Sequence, residues 1–179
     1  MGKYFISAGH NDKDPGACAN GHTEAAIALE MRDMVAAKLQ QLSETCDVAT
    51  DGRCGENQTL NEALKQIGGS VLAIELHCNA SANPQATGVE VVALERDKRI
   101  AQRLARAIAQ ATGQRLRGDG GFIDQSKTAR GRLAFVAAGG LIVEMVFISN
   151  PGDLENFLSK KDAVAQALAA AICGQEVAA

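Results

Sequence analysis

Tryptophan is absent from the 179 residues, and tyrosine occurs once. A core built from this chain must rest on Ala, Leu, Ile and Val. Scarce aromatics also argue against single-strand nucleic-acid binding, which relies on base stacking. Cysteine occurs five times, at Cys18, Cys46, Cys54, Cys78 and Cys173, with no Cys-x-x-Cys pair. An odd number in a chain this long speaks against a disulfide framework and for synthesis in a reducing cytosol. No apolar run reaches the roughly 20 residues of a membrane span, so no membrane insertion is expected. The N-terminus lacks the charged and apolar regions of a signal peptide and reads directly as a strand. Long linkers, internal repeats and low-complexity stretches are missing, so one domain is expected over residues 1–175, with a short tail at 176–179.

What is present is ordinary for a globular protein: 46% hydrophobic and 22% charged residues, which excludes disordered and collagen-like chains. A chain of this size buries about 70% of its unfolded surface, enough for one aliphatic core. The net charge of −3 conceals an asymmetry. Residues 96–132 carry ten of the 18 basic residues and three of the 21 acids, so this segment is +7 and the remainder −10. A solvated helix face with a basic loop explains such a run. The functional alternative is a patch that meets an anionic polymer or a carboxylate-bearing substrate. A nucleic-acid partner fits poorly with the acidic balance of the whole chain.

Lys3 to Ala8 has the apolar pattern of a buried strand, and 11–21 is a loop rich in Asp, Asn, Gly and Pro. Ile27, Met31, Met34, Val35, Leu39 and Leu42 recur at helical spacing, which predicts a helix over 23–42 with Thr23 as its N-cap. A short strand at 47–50 and a helix at 59–67 closed by Gly68-Gly69 follow. Strands are predicted at 71–77 and 89–94, and an amphipathic helix at 97–112. A Gly- and Arg-rich loop spans 113–132, strands at 133–136 and 141–147 flank the turn at Gly139-Gly140, and helices at 154–158 and 163–172 close the chain. Strands alternating with helices imply an α/β fold, a mostly parallel or mixed twisted sheet of about six strands with helices on both faces.

The three histidines are His10, His22 and His77. Two stand at the carboxyl ends of predicted strands, the edge where open α/β sheets bind ligands. Two imidazoles there suit zinc, which takes His nitrogens and a carboxylate and leaves one position for water. For the third ligand, spacing leaves both His22 and Glu24 open. Cys78 neighbours His77 on a strand and so faces the other way. Glu75, two residues before His77, shares its face and can reach the site as a hydrogen-bonding partner of a ligand. Glu144 is a lone carboxylate inside the apolar strand Leu141–Ile148. Burying it is costly unless it is paired or protonated, which marks a candidate general base.

In this order the residues resemble a known family. Ser7-Ala-Gly-His10 with Asp14-Pro-Gly16-Ala17, then Gly21-His-Thr-Glu24, Glu75-Leu-His77-Cys-Asn79, Gly88-Val-Glu90-Val91, and Leu141-Ile-Val-Glu144 with Phe147-Ile-Ser-Asn150 are similar to the zinc-dependent N-acetylmuramoyl-L-alanine amidases of the Amidase_3 type. The resemblance covers roughly residues 3–173. It implies one Zn2+ per chain held by His10, Glu24 and His77, with Glu144 as catalytic acid and base. It settles the third ligand against His22. It also implies peptidoglycan as the substrate and hydrolysis of the bond between N-acetylmuramic acid and L-alanine. Asn79, Asn150, Arg132 and Glu75 are expected to bind substrate or support the ligands.

Two positions depart from the family pattern: Val146 where a small Gly is usual, and Glu75 where Ser is usual. Val146, on the strand face of Glu144, is expected to narrow the cleft. Cell-division members often carry a long helix before the Gly-Val-Glu-Val strand that covers the cleft until an activator moves it. Here only the ten residues Cys78 to Thr87 intervene, so an open site needing no activator protein is expected, and a monomer. Arg115, Arg117, Lys127, Arg130 and Arg132 are candidates for wall contacts. A domain without a signal peptide suggests a phage endolysin, made in the cytoplasm and released to the cell wall through a holin-type pore. Two readings compete: a zinc carboxypeptidase acting on the stem peptide, and a wall-binding module without catalysis.

Overall fold

The computed structural model describes residues 2–42, 47–52 and 56–174. Cys46, Cys54 and the tail 176–179 lie outside the described residues. The elements follow in chain order as β1 (Lys3–Ala8), β2 (Cys18–Ala19), β3 (His22–Thr23), α1 (Glu24–Leu42), β4 (Asp47–Thr50), α2 (Leu60–Ile67), β5 (Ser70–Asn79), β6 (Glu90–Ala93), α3 (Lys98–Thr112), β7 (Phe122–Asp124), α4 (Ala134–Ala137), β8 (Leu141–Phe147), α5 (Pro151–Ser159) and α6 (Lys161–Ile172).

Six strands form one sheet in the order β4-β1-β5-β8-β6-β7, and β2 and β3 form a separate hairpin. β4, β1, β5 and β8 run parallel; β6 opposes β8, and β7 follows β6. The single α/β domain with a mixed sheet matches the expected fold class. Among the described residues no helix is long and apolar enough to cross a membrane.

The two faces of the sheet have different fates, because alternate residues of each strand point oppositely. Ile6, Ile74, Leu76, Val91, Val143 and Met145 pack with α1, α3 and α6 into the larger apolar cluster. On the other face, Phe5, Ala73, Val92 and Ile142 pack under Ala63 and Ile67 of α2 and Phe135 and Val136 of α4. These two short helices cover only part of that face. Further along the same strands, in register, stand Glu75, His77, Glu90 and Glu144, and there a cleft of about 950 Å³ opens.

Two segments differ from the sequence reading. Leu133 to Val136 is not a strand: Ala134–Ala137 is a single helical turn with Phe135 and Val136 buried side by side. A four-residue apolar run carries too little periodicity to separate the two conformations. The loop 113–132 also contains β7, three residues that extend the sheet beside β6.

A third difference concerns Val146. Between His77/Glu144 and Asn79/Phe147 the β5–β8 register shifts, with one extra residue on β8. This irregularity breaks the alternation. Val146 is fully buried in the larger core cluster beside Met145 and does not line the cleft, so it does not narrow it.

Candidate functional site

His10 and Glu24 are delivered by the ends of elements, and His77 and Glu144 stand inside β5 and β8. β1 stops at Ala8, and His10 follows with φ 66°, in the left-handed region. Such a conformation costs a non-glycine residue about 1–2 kcal/mol. It is held from outside: the Asn57 side-chain amide donates to the carbonyls of both Ala8 and His10. Asn57 Oδ1 accepts from Arg32 Nη1 at 3.2 Å.

Glu24 is the first residue of α1, where the helix dipole favours a carboxylate. The Thr23 hydroxyl accepts from the Ala26 N–H and caps that turn. Glu24 is buried, and its two oxygens are shared out. Oε1 accepts from the Cys78 N–H at 3.1 Å and lies 2.8 Å from His77 Nδ1. Oε2 accepts from the Ala17 N–H at 3.0 Å and lies 3.2 Å from His10 Nε2. Gly16 and Gly9 make this density of groups feasible. A Cβ on Gly16, itself at φ +66°, would stand 2.6 Å from Glu24 Oε2 and from the His10 ring, and one on Gly9 would stand 2.3 Å from the His77 ring.

His77 is fixed at both ring nitrogens, with Nδ1 toward Glu24 and Nε2 3.0 Å from Glu75 Oε2. His10 Nδ1 lies 3.0 Å from Asp14 Oδ2. The two rings stand nearly perpendicular, centroids 5.2 Å apart. One donor atom each from His10, Glu24 and His77 lies within 4.8 Å of the others, so the three could hold one cation. Two imidazoles and a carboxylate, each imidazole backed by a further carboxylate, form a donor set suited to a divalent metal.

The charges are strongly coupled. Burial alone would raise the pKa of Glu24, but the hydrogen bonds with His10 and His77 and the charge of His77 hold it well below the usual carboxylate range. Burial opposes a charge on His77, yet its bonds to Glu24 and Glu75, aided by the nearby Glu144, push it up to about 10. His10 is raised by its bond to Glu24.

Glu144 is different in kind. Its Oε2 is buried and has no hydrogen-bond partner among the described residues. Burial is the largest influence on it; Glu24 and Glu90 add to the rise, His77 opposes it, and the carboxyl is pushed up to about 7.

The remaining expected residues separate. Asn79 lines the cleft and donates to Glu90 Oε1 at 2.9 Å. Asn150 is the N-cap of α5, accepting from the Gly152 and Asp153 N–H groups, and does not line the cleft. Arg132 does not line it either. His22 is exposed in the β2–β3 hairpin and lies outside the donor cluster. Cys78 is buried on the opposite face, as its strand position requires. Asp14 and Glu90 enter the sequence reading only as members of the family blocks, with no role given, and Asn57 does not enter it. Glu90 could have been singled out, because like Glu144 it is an acid within an apolar strand.

An α/β sheet with an imidazole–carboxylate cluster and a strand-borne glutamate at one open cleft defines a hydrolase-like architecture. A family model described as N-acetylmuramoyl-L-alanine amidase matches residues 5–174, and the chain belongs to that family. Among solved structures, a Neisseria meningitidis protein assigned as such an amidase is 40% identical, with 97% of this chain and 94% of that chain covered and a TM-score of 0.88. An N-acetylmuramoyl-L-alanine amidase from Clostridium difficile 630 shares the fold at 18% identity, with 97% and 95% covered and a TM-score of 0.83. The catalytic domain of the CD27L endolysin, which targets Clostridia difficile, shares it at 21% identity, with 99% and 100% covered and a TM-score of 0.76. No curated protein sequence matches the chain.

Proposed function

We propose that the chain is a zinc-dependent hydrolase of the amide bond between N-acetylmuramic acid and L-alanine in peptidoglycan. The observation that carries this reading is the convergence of His10, Glu24 and His77 within 4.8 Å beside Glu144, whose Oε2 is buried and unpartnered. His10, Glu24 and His77 would hold the metal, with Asp14 and Glu75 orienting the two rings. When bound, zinc supplies a Lewis acid that acidifies water and polarises a carbonyl oxygen.

Glu144 does the proton work. Its carboxylate accepts a proton from the water whose oxygen bonds to the lactyl carbonyl carbon. It then returns that proton to the L-alanine nitrogen as the C–N bond breaks. A carboxyl whose proton affinity is raised by burial suits both halves of this cycle. The products are a lactyl carboxylic acid on the glycan and a free stem peptide. The family membership supports the choice of bond over that cut by a carboxypeptidase.

The segment 80–88 holds no helix over the cleft, which favours a site that works without an activator protein. The proposed setting is lysis from within, as an endolysin.

Three measurements test the reading. Zinc content should be one per chain in wild type and His22→Ala and lost in Glu24→Ala. Mass spectrometry of digested peptidoglycan should show intact stem peptides; release of single amino acids would establish a carboxypeptidase instead. Co-expression with a holin should cause lysis that neither protein causes alone.

A further inference from the structure

The cleft has a wall that neither the donor cluster nor Glu144 uses. Lys127 and Arg130 line it from the segment between β7 and α4. Both are exposed, and neither side chain has a hydrogen-bond or ion-pair partner among the described residues. Asp119 and Asp124 feel the charge of Lys127 without bonding it.

Arg117, the third basic residue of this stretch to line the cleft, is committed elsewhere, and Arg132 does not line it. Arg117 pairs with Glu90 and lies 4.9 Å from the centroid of the Phe147 ring, and Arg115 donates to the Thr87 carbonyl. Lys127 and Arg130 are therefore the two cleft-lining cations left for a ligand.

The segment that carries them is braced. Asp124 accepts from the Ser126 N–H and hydroxyl, the Thr128 hydroxyl donates to the Gln125 carbonyl, and the Leu133 N–H donates to Gln125 Oε1. A braced segment loses little freedom when a ligand arrives, which favours binding. Across the cleft stand Glu24, Glu75, Glu90 and Glu144. Glu24, Glu75 and Glu90 are matched by His10, His77 and Arg117, whereas the two cations of this wall have no counter-charge bonded to them among the described residues. A ligand with a neutral amide and an anionic end enters in one orientation.

Lys127 and Arg130 lie past the end of β7 at Asp124 and line the same cleft as Glu144, so a peptide held at Glu144 and running along the cleft meets them.

We infer that Lys127 and Arg130 form a carboxylate-binding wall that selects stem peptides with free carboxylates over those in which they are amidated. This rests on the amidase reading above.

The test uses two soluble N-acetylmuramoyl tripeptides that differ only in carboxylate against carboxamide at the second and third residues. Wild type should show a KM about fivefold lower for the carboxylate form, as expected of two exposed ion pairs. Added salt should erase the difference and leave kcat unchanged. The double variant Lys127→Gln/Arg130→Gln should lose the preference while its KM for the amidated form stays put, and Lys127→Arg/Arg130→Lys should keep it.

Equal KM values in wild type, or a preference surviving in the Gln double variant, would overturn the inference. Calorimetric binding of both tripeptides to Glu144→Gln decides the same point without turnover. Should neither tripeptide be hydrolysed by wild type, the amidase reading fails, while the binding difference still rules on the wall.

Discussion

Glu90 and Glu144 stand directly opposite each other across the antiparallel β6–β8 ladder, two carboxylates on one face of the sheet. Like charges in that relation repel. The protein resolves the conflict unevenly. Glu90 is neutralised by Arg117 and accepts from Asn79, whereas Glu144 Oε2 receives nothing. The conflict is concentrated on Glu144, the residue proposed to carry the proton.

Replacing Glu90 should therefore retune Glu144. Glu90 raises the Glu144 pKa by its charge. Glu90→Gln removes that charge and frees Arg117, and both changes favour the ionised form of Glu144. A base is inactive while protonated, so the acid limb of the kcat/KM profile should move to lower pH, by about half a unit to one unit. An acid limb that stays in place or moves upward would show that Glu144 does not set it.

Glu144→Gln should abolish turnover, by about 10²–10⁴-fold, with zinc content unchanged. It should also affect stability. The Glu144 carboxyl is raised above 4.5 in the native state, to about 7, so the folded protein binds more protons than the unfolded chain between those values. Stability from this group is full below about 4.5 and is lost as pH rises through 7. In zinc-free protein, Glu144→Gln should melt with wild type at pH 4.5 and above it at pH 8. Identical melting curves at pH 8 would show that burial of the carboxylate carries no cost.

Glu75 holds His77 Nε2, leaving Nδ1 for the donor cluster. Removing such a carboxylate partner of a ligand costs about 10–100-fold in metal affinity. Chelator competition should show that loss for Glu75→Ala. Glu75→Gln, which keeps an accepting oxygen, should lose far less. Equal losses in both would mean that negative charge, and not ring orientation, is what Glu75 supplies.

Much of this site is legible in sequence because its residues violate local patterns. His10 and His77 follow apolar strands, and Glu144 interrupts one; each is polar where packing alone would choose otherwise. Glu24 was harder, since an acid at a helix start is ordinary, and only the family resemblance separated it from His22. Val146 was misread because strand parity was carried through a register shift that no residue announces. Asn150 was read as a site residue and is instead the cap of α5. Arg32 looked like any charged position on α1; its burial depends on Asp51 and on the Glu56 carbonyl, far along the chain.

That buried Arg32 leads to the last prediction. Arg32 is 0% and Asp51 1% exposed, and they pair at 3.1 Å. Asp51 also accepts from the Ser7 hydroxyl at 2.6 Å and the Ala8 N–H, so it grips the end of β1. Burial raises the Asp51 pKa, with Ser7 and Arg32 opposing the rise. Breaking one side of a buried pair leaves the other charge uncompensated, at about 3–5 kcal/mol. Arg32 keeps Asp33 at 2.8 Å, so Asp51→Ala should lose stability at the low end of that range, about 3 kcal/mol in urea unfolding. Asn57→Ala removes no charge and should cost less, about 1–3 kcal/mol for the buried carbonyls it abandons. Asn57 is nevertheless what ties the His10 carbonyl down at a left-handed backbone. Asn57→Ala should consequently weaken zinc retention more than its small stability loss would suggest, whereas a surface substitution of equal thermal effect should not. If zinc affinity in Asn57→Ala tracks stability alone, the network supports the fold and leaves the geometry of His10 to the strand.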